Sequence, residues 1–235
     1  MIEDSIATCK VWAEDNSAYG PVDLATVVAW IKDQRVFPNT FIQLQSDRRW
    51  RQARDVDGLR AHFGSGDGNE TDMIRLDHGP VAGDLRELAV FAGLSDAGLE
   101  QLAGLGEFYQ AAPGDLVVHK GDPCDAVYFI MSGELRVRLI VGIVDKMDKT
   151  LCKIGAGEFF GELGMFSQSR RTADVLAETE SRLFRMTTSA CMLLVRQIPE
   201  LASPILFNIC VTMARRMAED NQRFYRETTS NFLWA

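Results

Sequence analysis

The chain reads as an α+β protein: an antiparallel β-roll of jelly-roll type with flanking helices and a long C-terminal helix, plus a small N-terminal α+β unit. Three observations predict this. Between Glu107 and Thr187 short apolar runs are broken by Gly114-Asp115, Gly121-Asp122, Ser132-Gly133, Gly155, Gly157 and Gly161, the turn density of a barrel or roll. Beyond Thr188 the apolar spacing becomes helical. Gly64-Ser65-Gly66-Asp67-Gly68-Asn69-Glu70 is polar and glycine-rich and buries too little surface to order itself, so 64–83 reads as a flexible linker between domains at 1–63 and 84–235.

The N-terminal unit begins with a strand around Cys9 to Ala13 and a Gly20-Pro21 turn. A helix from about Leu24 to Lys32 and a strand near Thr40 to Leu44 follow, then Trp50 and an amphipathic tail through Leu59 and Phe63. After the linker, Leu85, Leu88 and Phe91, then Leu99 and Leu102, recur at helical spacing, and Ser95 is placed as an N-cap. Leu135, Val137, Leu139 and Val141 alternate with Glu134, Arg136 and Arg138, the pattern of a strand with one wet face. Ser203-Pro204 marks the start of the long helix, with proline at its first position, running into the Arg226 to Thr229 region.

Composition excludes several classes. A formal net charge of −8 argues against a general nucleic-acid binder, which needs a basic face to release counterions. There is no apolar run of signal-peptide or membrane-spanning length, so the expectation is a soluble, cytoplasmic chain without membrane insertion. The five cysteines lack the paired spacings of zinc or redox motifs, and His62, His78 and His119 are far apart. No metal and no cofactor is expected. The isolated His119 offers no catalytic cluster, so no catalytic residues are assigned and an enzyme is not expected.

The informative stretch runs from Phe160 to Val175. A glycine turn, Gly161-Glu162-Leu163-Gly164, leads into one helical turn and then a strand that carries Arg171. Backbone N–H groups at a helix start suit an anion, and an arginine folded over them supplies the opposite charge with forked donors. Glu162, a carboxylate beside that anion, fits a ligand hydroxyl such as a ribose. Phosphate and sugar together mean a nucleotide. This stretch resembles the cyclic-nucleotide-binding family of the catabolite activator protein, kinase regulatory subunits and cyclic-nucleotide-gated channels. The likeness covers Asp84 to about Arg223, including Leu85 to Phe91, Ala112-Pro113-Gly114-Asp115, Lys120-Gly121-Asp122-Pro123 and Tyr128 to Glu134. The resemblance implies that Gly161, Glu162 and Leu163 bind ribose and phosphate, that Arg171 pairs with the cyclic phosphate, and that Thr172 adds a hydroxyl near phosphate and base. The alternative is an internal Glu162–Arg171 ion pair in a roll that binds nothing. Arg170, pointing the other way on a strand, reads as a solvated charge.

In the resembled family the helix after the roll caps the nucleotide. Leu206, Cys210, Met213, Met217, Asp220 and Phe224 follow a heptad seam, which suits either a parallel homodimer or packing on the chain's own roll. Asp220, or Asn221 if the helix phase differs by one residue, is the candidate base contact. Asp220 and Thr172 together lean towards cGMP over cAMP, because a carboxylate accepts from guanine N1–H and its amine. The catabolite-activator branch continues into a helix-turn-helix; with the chain stopping at Ala235, a DNA reader is not expected.

At the other end, Trp12, Gly20-Pro21, Arg35-Val36, Pro38-Asn39-Thr40, Ile42, Trp50 and Ala53 resemble the bacterial variant of the GYF domain, with Arg35-Val36-Phe37 near the place of the name-giving triplet. The resemblance implies a GYF-like domain that docks a protein partner of the proline-rich kind. Trp12, Tyr19, Trp30 and Phe37 are the peptide-binding candidates; the large rings serve equally as a small core. The reading is a cyclic nucleotide sensor, for cGMP or cAMP, that couples ligand binding to a protein–protein interaction of the N-terminal module. The alternative is an adaptor with a non-binding nucleotide site.

Overall fold

The structure is a computed structural model that describes residues 8–63, 73–76, 82–141, 147–163 and 170–232. The N-terminal unit is a four-stranded antiparallel sheet in the order β2-β1-β3-β4, from β1 (Thr8–Trp12), β2 (Ala18–Asp23), β3 (Phe41–Leu44) and β4 (Trp50–Gln52). Helix α1 (Leu24–Lys32) follows β2 and is capped by Asp23, whose carboxylate accepts from the Thr26 N–H at 2.6 Å. Val27 of this helix packs with Cys9, Val11, Val36, Ile42 and Leu59 in one core. The expected Gly20-Pro21 turn is instead the middle of β2; the chain reverses at Ala13–Ser17, where the Ala13 N–H donates to the Ser17 carbonyl at 3.0 Å. The β1–β2 register shifts between Cys9 and Val11, and a Cβ at Gly20 would meet the Cys9 carbonyl oxygen at 2.6 Å. Glycine there permits a bulge, not a turn.

Residues 64–72 and 77–81 of the expected linker lie outside the described residues. Between them β5 (Ile74–Arg75) is a short strand paired to β6 (Glu107–Ala111), with Met73 buried in the roll. That part of the linker is therefore an edge of the sheet. Three short helical segments follow: α2 (Ala82–Arg86), a single turn at Ala89–Phe91, and α3 (Asp96–Ala103). Ser95 caps α3 as expected, its hydroxyl accepting from the Gly98 N–H at 3.2 Å.

The remaining strands are β7 (Leu116–Val118), β8 (Ala126–Ser132), β9 (Glu134–Val141), β10 (Met147–Gly155), β11 (Phe159–Phe160), β12 (Asp174–Ala177) and β13 (Ser181–Thr187). They form two antiparallel sheets, β10-β9-β12-β7 and β11-β8-β13-β6-β5. Val117, Leu135, Ile154 and Val175 of the first meet Tyr109, Tyr128, Ile130 and Leu183 of the second in one core. This is the expected β-roll with flanking helices.

The chain leaves the roll through α4 (Thr188–Gln197), capped by the Thr187 hydroxyl at 3.1 Å from the Ala190 N–H, and enters the 34-residue α5 (Pro199–Phe232). The long helix starts at Pro199, not at Ser203-Pro204. Pro199 occupies the first position, where a missing N–H is harmless, and Pro204 lies within the helix at the expense of one bond to the Glu200 carbonyl. Leu201, Ala202, Ile205 and Ile209 bury the first half of α5 against the roll. Of the predicted seam, Leu206 and Met213 also pack there, whereas Cys210, Met217 and Phe224 face outward. No described helix is long and apolar enough to cross a membrane.

The two predicted domains share a core. Trp12, Phe41 and Trp50 of the N-terminal sheet join Leu99, Leu102, Leu105, Phe108 and Phe184 in a single buried cluster, with Trp12 and Trp50 edge-to-face at 6.2 Å. Burial of such rings contributes about 1.5–3 kcal/mol each. The N-terminal unit is thus seated on the roll by apolar surface as well as by chain connectivity.

Candidate nucleotide site

The site is built where β11 ends and β12 begins. Gly161 takes φ +83°, a conformation costly to residues with a Cβ, and a Cβ there would collide with Arg171 Nη1 and stand 2.8 Å from the Ala126 carbonyl oxygen. Glycine therefore lets the arginine lie flat on the turn. Arg171 is fixed through its backbone, its N–H donating to the Asp122 carbonyl at 2.9 Å and its carbonyl accepting from the Gly121 N–H at 2.8 Å. Its side chain is only 6% exposed. Nη2 donates to the Ala126 carbonyl at 2.8 Å and to Asp125 at 3.3 Å, and the group lies 5.6 Å over the Tyr128 ring. Nη1 is buried with no hydrogen-bond partner among the described residues. Such an atom carries a desolvation cost that an acceptor on a ligand would relieve.

Arg171 forms part of the wall of a cavity of about 510 Å³. Gly161, Glu162, Leu163 and Thr172 lie on the same wall, and Val118, Val137 and Val175 supply an apolar floor. Residues 164–169, which include the predicted helical turn, lie outside the described residues. Across the mouth runs α5, contributing Arg216, Glu219, Asp220 and Arg223. Asp220 accepts from Arg223 at 2.7 Å, and Asn221 is not among the lining residues. The helix phase thus brings Asp220, not Asn221, to the cavity. Arg216 pins α5 down: Nη1 donates to the Phe159 carbonyl at 2.9 Å, Nη2 reaches Glu158 at 3.3 Å, and the guanidinium lies 4.8 Å over the Phe159 ring. Arg170, expected to point away from the site, is exposed and donates to the Gly121 carbonyl at 2.8 Å, but it too borders the cavity beside Arg171. The cavity has a donor-rich end, an apolar floor and a charged lip, the requirements of an anion joined to a flat apolar ring.

Residues 109–197 match the cyclic nucleotide-binding domain family. Among curated proteins, the chain is 29% identical over 106 residues to the cyclic AMP receptor protein of Thermus thermophilus, covering 45% of this chain and 46% of that one. It is 28% identical over 140 residues to glutaminase 1 of Bradyrhizobium diazoefficiens, covering 60% of this chain and 22% of the enzyme. The chain therefore spans less than half the length of these relatives. A cyclic nucleotide-binding domain from Methylobacillus flagellatus shares the fold, with TM-score 0.58, 24% identity, and coverage of 66% of this chain and 89% of that one.

A second cleft, of about 830 Å³, opens between the N-terminal unit and the roll. The peptide-binding candidates Trp12, Tyr19, Trp30 and Phe37 all border it, together with Asp125, Arg185 and Thr188. Tyr19 and Phe37 are accessible, and Arg35 lies 5.2 Å over the half-buried Trp30 ring. Trp12 differs: it is 2% exposed and packed on Trp50, so it is a core ring at the seam and not an open platform.

Between the two cavities lies a row of charges that the sequence did not suggest. Asp125 accepts from Arg171 and, at 2.6 Å, from Arg185. Arg185 donates to Glu107 at 2.8 Å and to the Tyr128 hydroxyl at 3.2 Å, and Arg54 of the N-terminal unit pairs with Glu107. Burial alone would raise the Glu107 carboxyl; Arg185, Arg54 and Arg75 outweigh it and hold the group below the ordinary glutamate value. Tyr109, buried and donating to Glu107 at 3.1 Å, is pushed up to about 12.

Proposed function

We propose that this chain is a cyclic nucleotide sensor, binding cGMP or cAMP, that couples occupancy to a protein contact of its N-terminal module. The observation that carries this reading is the buried Arg171 guanidinium, laid against the Gly161 turn on a cavity wall with one nitrogen unpartnered. The cyclic phosphate would take that nitrogen, Glu162 would accept from the ribose 2′-hydroxyl, and the base would lie over the valine floor beneath α5. Asp220 on the lip and Thr172 beside the arginine favour guanine. The exposed rings of Tyr19 and Phe37 favour an extended, proline-rich partner in the second cleft. The outward apolar residues of α5, Phe207, Val211, Met217, Phe224 and Tyr225, favour a homodimer through that helix.

The role proposed is regulatory, not catalytic: the likeness to glutaminase covers 22% of that enzyme, and the cavity residues described are arranged to hold an anion. Calorimetric titration of the purified chain with cAMP and with cGMP tests the reading. Saturable one-site binding of at least one of them is expected. Heat indistinguishable from dilution with both would overturn it in favour of a non-binding adaptor.

A further inference from the structure

Resting on that reading of Arg171, the geometry points to a linkage between the nucleotide site and the seating of the N-terminal unit, carried by the ion chain Arg171–Asp125–Arg185–Glu107–Arg54. Each link is an ion pair of the structure. Asp125 spans Arg171 at 3.3 Å and Arg185 at 2.6 Å, Arg185 reaches Glu107 at 2.8 Å, and Glu107 is paired with Arg54, which stands two residues beyond the interface strand β4. Arg185 at 8% and Glu107 at 7% exposure are screened weakly by water, whereas Asp125, 56% exposed, is the solvent-facing link and the one whose attraction salt weakens most. The first arginine borders the nucleotide cavity, Asp125 and Arg185 border the second cleft, and the last arginine belongs to the N-terminal unit.

Charges alternate along this chain, which fixes the sign of the coupling. A phosphate anion on Arg171 competes with Asp125 for that guanidinium. Asp125 then gives more of itself to Arg185, Arg185 draws less on Glu107, and Glu107 is left more fully to Arg54. Occupancy tightens the N-terminal unit. Removal of Arg54 runs the chain backwards: Glu107, still acted on by Arg75, turns more to Arg185, Asp125 is released towards Arg171, and the arginine is partly neutralised before phosphate arrives. Because linkage is reciprocal, one coupling constant governs both directions. Arg54, remote from the cavity, is thereby a positioning residue for nucleotide affinity.

The test is calorimetry with cAMP and cGMP on the full chain, wild type and Arg54→Ala, paired with amide hydrogen exchange of the wild type. Arg54→Ala should bind its preferred nucleotide about fivefold more weakly or worse. Amides at 50–56 of the wild type should exchange more slowly when the nucleotide is bound. Should Arg54→Ala fail to fold, the exchange measurement on the wild type decides alone. Wild-type binding with unchanged exchange at 50–56, or an Arg54→Ala affinity within twofold of the wild type, overturns the linkage while sparing the nucleotide site. A wild type that binds neither nucleotide overturns both.

Discussion

Replacing Arg171 by alanine separates the site from the fold. The substitution removes a guanidinium that donates to the Ala126 carbonyl at 2.8 Å, to Asp125 at 3.3 Å, and covers the Tyr128 ring. Hydrogen bonds from charged groups are worth about 1.5–3 kcal/mol net. Two circumstances reduce that loss: Asp125 keeps its 2.6 Å bond to Arg185, and the unpartnered Nη1 goes as well. A net loss of about 1–3 kcal/mol follows, or roughly 2–12 °C in Tm for a chain of this size. Binding suffers differently, because a desolvated phosphate left without its cation costs about 2–5 kcal/mol, roughly 30- to several-thousand-fold in Kd. Calorimetry with both nucleotides and a melting curve on the same samples read the two effects. Arg171→Lys should fold like the wild type and recover only part of the affinity, since a point charge replaces a fork. An Arg171→Ala chain that binds as tightly as the wild type would refute the assignment of the phosphate to this residue.

Three further outcomes are expected. Gly161→Ala should lower both affinity and Tm, because the αL conformation costs alanine about 1–2 kcal/mol and the new methyl displaces the Arg171 guanidinium; unchanged values for both would dissolve the turn's proposed role. In competition between the two nucleotides, the wild type should prefer cGMP and Asp220→Ala should lose about 1–3 kcal/mol of that preference; a wild type preferring cAMP, or a cGMP preference that does not move, would take Asp220 out of base recognition. The Glu107 carboxyl has a folded pKa below its ordinary 4.5, so its stabilising contribution is complete above about pH 4.5 and is lost as pH falls through the folded value. Denaturant midpoints followed from pH 7 to pH 3 should therefore fall more steeply for the wild type than for Glu107→Gln, and parallel curves would contradict the sign.

Much of the roll was legible because its signals are local. The turn glycines and the alternation through Leu135 and Val137 report one buried and one wet face, and β9 lies where they place it. The cassette was legible for the same reason, as glycine, carboxylate and arginine stand within a dozen positions. The ion chain was not. In β13, Leu183, Phe184, Arg185 and Met186 are all buried, since the strand has the roll core on one side and the helices on the other, and no alternation marks Arg185 as special. Glu107 and Asp125 are single carboxylates whose partners lie 78 and 60 positions away in sequence. Nothing local distinguishes them from solvated charges. The edge strand β5 was missed because its two residues adjoin a run of linker composition, and the start of α5 because Pro204 carries the same helix-start signal as Pro199.

The arrangement of these charges also bears on why the site would respond to an anion at all. Within the chain from Arg54 to Arg171 there are three guanidinium groups and two carboxylates, so positive charge is in surplus, and one of the two terminal guanidinium groups stands at the cavity. A buried ion pair is stabilising only when each charge has its partner, and one left over costs more than the pair returns. Arg171 has half a carboxylate, shared with Arg185, together with a carbonyl and an aromatic face. Its remaining nitrogen is the place where an added negative charge completes the alternation. Neutral ligands of the same shape, such as the unphosphorylated nucleosides, could fill the apolar floor and still leave that deficit. The discrimination between a cyclic nucleotide and its nucleoside is thus expected to vanish in Arg171→Ala and to survive, though reduced, in Arg54→Ala, where the surplus is weakened from the far end but the guanidinium remains.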